Sequence, residues 1–315
     1  MHKHYRKILG RCKGDALKQV VAYAAGIPNP HKGGHKLEIL KRFIDGVKVK
    51  GDIGIVHNGN NIVKCDVGVI QGWVHEGSPN TPHLRLRKQA AEAGNCIIVD
   101  SNLFNYNVGK LHPMQYLRYS LNGVFPTTGN YFDSEVNPAR WKKISKDLNI
   151  HLKDWRQTGN HILICTQRNG GWSMQGLDVV QWVKGTVQEL RKYTDRPIIV
   201  RGHPGDKHAR NYLRNNGWKI SNKERLTDDL QNAWATITYN SSPGVASAIE
   251  GVPIFVTDPN PKISQAFPVS NTQLKDIENP KTYERQEWIE KLSMSHYNFF
   301  ELSNGIAWEH IRKYV

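Results

Sequence analysis

The chain has 315 residues, 38% hydrophobic and 9% aromatic, with a mean hydropathy of -0.57 and a net charge of +15. That length exceeds what one hydrophobic core takes and suits two domains. No run of about 18 apolar residues offers a membrane-spanning helix, and the basic start, His2-Lys3-His4-Tyr5-Arg6-Lys7, lacks the apolar stretch and cleavage site of a signal peptide.

Cys12, Cys65, Cys96 and Cys165 form no CxxC pair, and Cys96 and Cys165 fall in apolar strand-like runs. Buried, reduced thiols are expected, and with them a cytoplasmic location. The positive charge is uneven. Residues 1–50 carry twelve Lys and Arg, including Lys3, Arg6, Lys7, Arg11 and Lys13, against three acids, a net +9. Such an excess favours a polyanionic partner over an ordinary solvated surface.

In chain order, strands are expected at residues 20–24, 53–57, 67–71 and 97–100, with a polar, Ala-rich helix at 84–93 between the last two. Strand–helix–strand order implies parallel pairing. A short basic helix begins at Asn137-Pro138, and the polar run ending at Gly159-Asn160 reads as a linker. A second series follows: strands at 161–165, 197–201, 235–239 and 253–256, helices at 178–193, 209–216 and 243–250. The tail from Tyr283 reads as helices broken at Asn304-Gly305. The expectation is an α/β chain of two Rossmann-like domains, 1–155 and 156–285, with a helical tail, 286–315, packing back toward the first.

Ligands of parallel sheets bind at the carboxyl ends of the strands, and three loops there carry distinctive chemistry. After Cys165 comes Arg168-Asn169-Gly170-Gly171, where glycines admit close backbone approach and Arg168 pairs with phosphate. After the next strand comes Arg201-Gly202-His203-Pro204, with His203 able to donate to a phosphoryl oxygen. The third loop, Ser241-Ser242-Pro243-Gly244, runs into a helix whose free N–H groups favour an anion. One serine is explained by N-capping with Pro243 at the first helical position; two are not. Glu250, Asp258 and Gln265 are candidates for ribose and sugar hydroxyls.

The order strand, His-Pro, helix, strand, Ser-Ser, helix, Gly-x-Pro, strand, carried by His203-Pro204, Ser241-Ser242 and Gly251-Val252-Pro253, resembles the C-terminal domain of GT-B glycosyltransferases. It is nearest to the group with His-Pro and Ser-Ser motifs that includes bacterial capsule, Kdo and polysialic acid transferases. The resemblance covers about residues 160–260 and implies that the two motifs bind the phosphate of a nucleotide-sugar donor. UDP-sugar is the first expectation and CMP-sugar the second, with no further cofactor. The segment Asn304-Gly305-Ile306-Ala307-Trp308-Glu309-His310 and the overall layout also look like phage-encoded proteins of glycosyltransferase type.

The resemblance gives the acceptor to the N-terminal domain. Its strand-end loops offer Asp100, Glu76 and His75 as catalytic bases for an inverting transfer. Arg85, Arg87 and Lys88 offer acceptor contacts, and Trp73 is an aromatic for stacking on a base. The basic excess there points to hydroxymethylated phage DNA as acceptor, a flipped base taking the sugar. A bacterial surface polysaccharide or lipid-linked glycan is the alternative, and a non-catalytic nucleic-acid-binding module is a third reading. Asp228-Asp229 reads as a helix start and not a DxD metal site, so metal-independent transfer by a monomer is expected.

Overall fold

The computed structural model describes residues 16–27, 36–100, 102–104, 106 and 115–315. The basic cluster Lys3, Arg6, Lys7, Arg11 and Lys13, together with Cys12, lies outside the described residues. Two compact units form: the chain up to Asp100 together with Tyr297–Val315, and the chain from there to His296.

The first unit opens with β1 (Gln19–Tyr23), α1 (Lys36–Val49), β2 (Ile53–His57), β3 (Val67–Gln71), α2 (Pro82–Glu92) and β4 (Asn95–Asp100). The four strands are parallel, in the order β2-β1-β3-β4, with Tyr23 opposite His57 and Val67 opposite Asn95. Val20, Val21, Val67, Val69, Ile97 and Ile98 are fully buried, as continuous apolar strands of a covered parallel sheet must be. Helix α1 had no counterpart in the sequence reading, because its lysines and acids interrupt the apolar stripe Ile39, Leu40, Phe43, Ile44, Val47.

In the second unit, β5 (Tyr116–Leu121) precedes α3 (Pro138–Leu148). Strand β5 was not anticipated either: Arg118 and Ser120 interrupt its apolar run, yet both are buried. Helix α3 starts where expected, the Asn137 side chain accepting from the Ala139 N–H at 3.0 Å with Pro138 following. Then come β6 (His161–Cys165), α4 (Val179–Leu190), β7 (Ile198–Arg201), α5 (Ala209–Arg214), β8 (Lys219–Ile220), α6 (Leu226–Leu230), β9 (Ala233–Thr238), α7 (Pro243–Ile249) and β10 (Ile254–Val256). The five strands form a parallel sheet in the order β10-β9-β6-β7-β8. Its core is built from Ile162, Ile164, Val200, Ile237 and Phe255 against Val179, Val183 and Leu190 of α4. The expected α/β class with two Rossmann-like parallel sheets is borne out.

Helix α8 (Gln286–Ser293) leads to β11 (His296–Asn298), α9 (Phe299–Ser303) and α10 (Ile306–Ile311). Asn298 and Glu301 make a reciprocal capping box at the start of α9, and the break at Asn304-Gly305 falls as expected. Both C-terminal helices pack on α1. A Cβ on Gly46 of α1 would stand 2.0 Å from the Leu302 carbonyl oxygen, so only glycine admits this crossing. Asp52, buried, then clamps α10: its carboxylate accepts from Trp308 Nε1 at 2.8 Å, Arg312 Nε at 2.7 Å and the Lys18 N–H at 3.0 Å.

Candidate active site

Register sets the site of the second unit. Cys165, the last residue of β6, is paired with Arg201 of β7 and Thr238 of β9. Three loops therefore leave the sheet side by side, within about 10 Å at the usual strand spacing.

A polar frame locks them together. Thr166 N–H donates to the Arg201 carbonyl at 2.9 Å, and the Thr166 hydroxyl accepts from His203 N–H at 3.2 Å. Gln167 accepts from Asn240 N–H at 3.2 Å and donates to the Ser173 hydroxyl at 2.6 Å. Asn240 donates to the Ser173 carbonyl at 3.1 Å and to Asp258 at 2.6 Å. Gln167, Asn240 and Asp258 are all buried. Asp258 was anticipated as a sugar ligand; it sits instead inside this frame, its other oxygen accepting from Asn260 N–H at 2.8 Å. Gln167 and Asn240 escaped the sequence reading because each lies beside a more conspicuous motif.

The open side of the frame is cationic. A Cβ on Gly205 would meet Arg168 Nη2 at 2.7 Å and His203 Cε1 at 3.1 Å, so both side chains converge on the bare Gly205 backbone. His203 Nδ1 accepts from Gly205 N–H at 3.0 Å, which leaves the neutral ring's proton on Nε2. Burial pushes the His203 pKa down, and the Arg168 guanidinium adds to this, against a smaller upward pull from Asp206. Asp206 in turn holds the loop, accepting from Asn169 N–H at 3.0 Å and the Tyr212 hydroxyl at 2.8 Å. Gly170 takes φ +67° over open space, while a side chain on Gly171 would collide with the Arg168 carbonyl. Pro204 is exposed.

The serines behave differently from structural serines. Ser242 is the N-cap of α7, but its side chain makes no cap hydrogen bond. The Ser241 hydroxyl is buried and has no hydrogen-bond partner among the described residues. A buried hydroxyl without a partner costs about 1–3 kcal/mol. The bland reading, one serine capping a helix, therefore does not describe this loop. Gly244 has a packing role, since a Cβ there would press on Ala266 at 3.0 Å.

Three other expected site residues are bound by the protein itself. Arg201 turns away from the open face: Nη1 meets Asp229 at 2.5 Å and Nη2 the Glu224 carbonyl at 2.8 Å. Glu250 lies at the far end of α7 from the serines, about 10 Å along the axis. It accepts from Tyr106 at 3.1 Å and pairs with Lys153. Gln265 is buried, its amide donating to the Tyr131 hydroxyl at 3.3 Å and its backbone carbonyl accepting from Trp288 Nε1 at 2.8 Å.

In the first unit, Asp100 ends β4, and the loop after β3 carries half-buried Trp73 and His75 and exposed Glu76. The His75 N–H donates to the Ser78 hydroxyl at 3.2 Å, a tight turn. On α2, Arg85 and Lys88 are exposed, and Lys88 faces Glu92 at 4.0 Å. Arg87 is half-buried and donates to the Gln71 carbonyl at 3.3 Å and the Ala25 carbonyl at 3.5 Å, so it ties two strand ends together. Among the described residues no cluster of three His, Cys, Asp or Glu is arranged to hold a metal ion, and no helix is long and apolar enough to cross a membrane.

No family model matches the chain, and no curated protein matches it. Solved structures do. The chain is similar to the β-Kdo 2,4-transferase of Thermosulfurimonas dismutans KpsC at 14% identity and TM-score 0.56, covering 93% of this chain and 99% of that one. It is similar to the β-Kdo 2,7-transferase of the same protein at 13% identity and TM-score 0.50, covering 91% and 99%. UDP-GlcNAc 2-epimerase of Methanocaldococcus jannaschii follows at 16% identity and TM-score 0.35, covering 91% and 85%. At these identities the likeness establishes the fold: this chain is a GT-B-like α/β protein.

Proposed function

We propose that the chain is a glycosyltransferase that takes a sugar from a nucleotide-sugar donor and places it on a glycan. The observation that carries this is the Ser241 hydroxyl, buried and without a partner among the described residues, next to Ser242, whose side chain makes no cap hydrogen bond, in the loop after β9. A phosphate oxygen there satisfies what the protein leaves unsatisfied. His203 Nε2–H and Arg168, on the two neighbouring loops, supply the remaining donors and the countercharge as the phosphate leaves the anomeric carbon. These side chains do the neutralising that a metal does in other transferases. In an inverting transfer, Asp100, Glu76 or His75 removes the proton of the attacking hydroxyl, with Arg85, Lys88 and Trp73 on the acceptor.

The acceptor follows from the company the fold keeps and from charge. Both Kdo transferases it resembles act on sugars, and a net charge of +15 suits an acidic surface glycan. The hydroxymethylated-DNA reading rests on charge alone, most of it in the first fifty residues.

Calorimetric titration with UDP, CMP and their sugars is the first test. Binding that is present in the wild type and lost in Ser241→Ala is expected; a wild type that binds none of them ends the proposal. Radiolabelled donor offered with membrane glycans or with hydroxymethylated DNA then decides the acceptor, label in DNA alone reversing the choice made here.

A further inference from the structure

The frame is flanked by an aromatic corner that the phosphate cradle does not use. Trp172, next to Ser173 of the frame, meets Phe125 with ring centroids 5.1 Å apart and planes at 54°. Both residues are half-buried.

The backbone that carries Phe125 is closely tied. Its loop leaves β5 at Asn122 (φ 62°) and closes at Asn130, opposite Leu121; two residues past the closure, Phe132 (φ 61°) also takes the left-handed region. Phe132 is bulky and fully buried, so its backbone strain is real and is stabilised from outside the turn. The loop is closed by reciprocal hydrogen bonds between Leu121 and Asn130, both 2.9 Å, and by Gly129 N–H to the Phe125 carbonyl at 2.7 Å. Tyr131 donates its hydroxyl to the Val124 carbonyl while receiving Gln265. These bonds fix the backbone that carries the Phe125 ring against Trp172.

We propose that Phe125 and Trp172 form the wall that receives the apolar C–H face of the donor's pyranose ring, so that this corner reads the sugar and not the nucleotide. The proposal rests on the donor-site reading above and deepens it. A nucleobase is flat and calls for parallel walls; two rings at 54° make a corner, which fits a puckered ring. Polar side chains complete sugar chemistry beside aromatic carbon, and here Ser173 and Gln175 follow Trp172 in the chain.

The experiment is calorimetry on the full chain with UDP against UDP-N-acetylglucosamine and CMP against CMP-N-acetylneuraminate. In Phe125→Ala and Trp172→Ala, affinity for the nucleotide sugar that the wild type binds is expected to fall about tenfold, with the bare nucleotide unchanged within about twofold. Trp172→Phe, which keeps an aromatic face, restores the sugar affinity. Phe125→Leu keeps apolar volume without the aromatic face and loses it, so it carries the test if an alanine variant does not fold. Nucleotide and nucleotide sugar weakened alike, or neither weakened, overturns the wall while leaving the phosphate site standing. A wild type that binds no nucleotide overturns the donor site itself, and the wall with it.

Discussion

Asn240 gives one N–H to Asp258 at 2.6 Å and another contact to the Ser173 carbonyl at 3.1 Å, so a single buried amide joins the loops after β6, β9 and β10. Replacing it by leucine strands the Asp258 carboxylate, which then keeps only Gln175 at 3.4 Å and the Asn260 N–H. Asn240→Leu is expected to cost about 1–3 kcal/mol in urea unfolding. A cost within experimental error shows that the amide does not brace the site.

Ser241→Ala has the opposite signature. Its hydroxyl has no partner among the described residues, so removing it relieves a buried polar group. Stability is expected to stay level or rise by about 1 kcal/mol, while nucleotide affinity falls. Ser242→Ala also leaves stability unchanged, there being no side-chain cap to lose. A structural pair of serines gives the reverse, lower melting temperatures and intact binding.

Arg201 separates frame from function. Its guanidinium neutralises Asp229, which is 4% exposed and otherwise held by Ser221. Arg201→Ala leaves a buried carboxylate without its cation and is expected to cost about 3–5 kcal/mol. The double change Arg201→Met with Asp229→Leu recovers much of that, and denaturation midpoints read both.

Gly205→Ala tests the cationic corner without touching a charge. The added methyl lands on Arg168 Nη2, the free end of a flexible side chain, so the guanidinium swings aside and the fold survives. Nucleotide binding is expected to weaken about tenfold if a charge-assisted hydrogen bond of roughly 1.5 kcal/mol is lost. Unchanged affinity removes Arg168 from the cradle.

His296 gives the second unit an acid limit. Burial drives its pKa down from 6.5 to about 3, with Arg118 and Arg140 adding to the fall against the upward pull of the Leu292 carbonyl. The unfolded chain takes up this proton near pH 6.5 and the folded chain only near pH 3. Between those values the unfolded state binds more protons, so stability drops as pH falls, by up to about 1.4 kcal/mol per pH unit. His296→Asn is expected to flatten the urea-midpoint profile by one proton across that window; an unaltered slope assigns the acid sensitivity elsewhere.

Much of the architecture was written in local pattern. Strands 53–57, 67–71 and 161–165 were placed to the residue because continuous apolar runs end at polar turns. Strand β5 was hidden because burial of Arg118 depends on distant partners such as the Tyr131 ring, 5.5 Å from its guanidinium carbon. The three strand-end loops were legible for the same reason as the strands. What each side chain does there was not. Arg201 and Glu250 have the right residue types for a donor site, and only the position of Asp229 and Lys153, distant in sequence, shows them already engaged. Phe125 carried no signal, since its meaning comes from a loop closed by Leu121 and Asn130 and from the Trp172 ring, distant in sequence.

The clasp of α9 and α10 on α1 has a consequence for synthesis. The first unit cannot cover the Gly46 groove or seat Trp308 on Asp52 until Tyr297–Val315 has been made. At about 5–20 residues per second the ribosome adds the intervening stretch in about 10–40 s. During that time the early β-strands wait with α1 uncovered, while the later sheet closes on its own. The nascent chain thus matures out of order, a later-made segment completing an earlier-made unit.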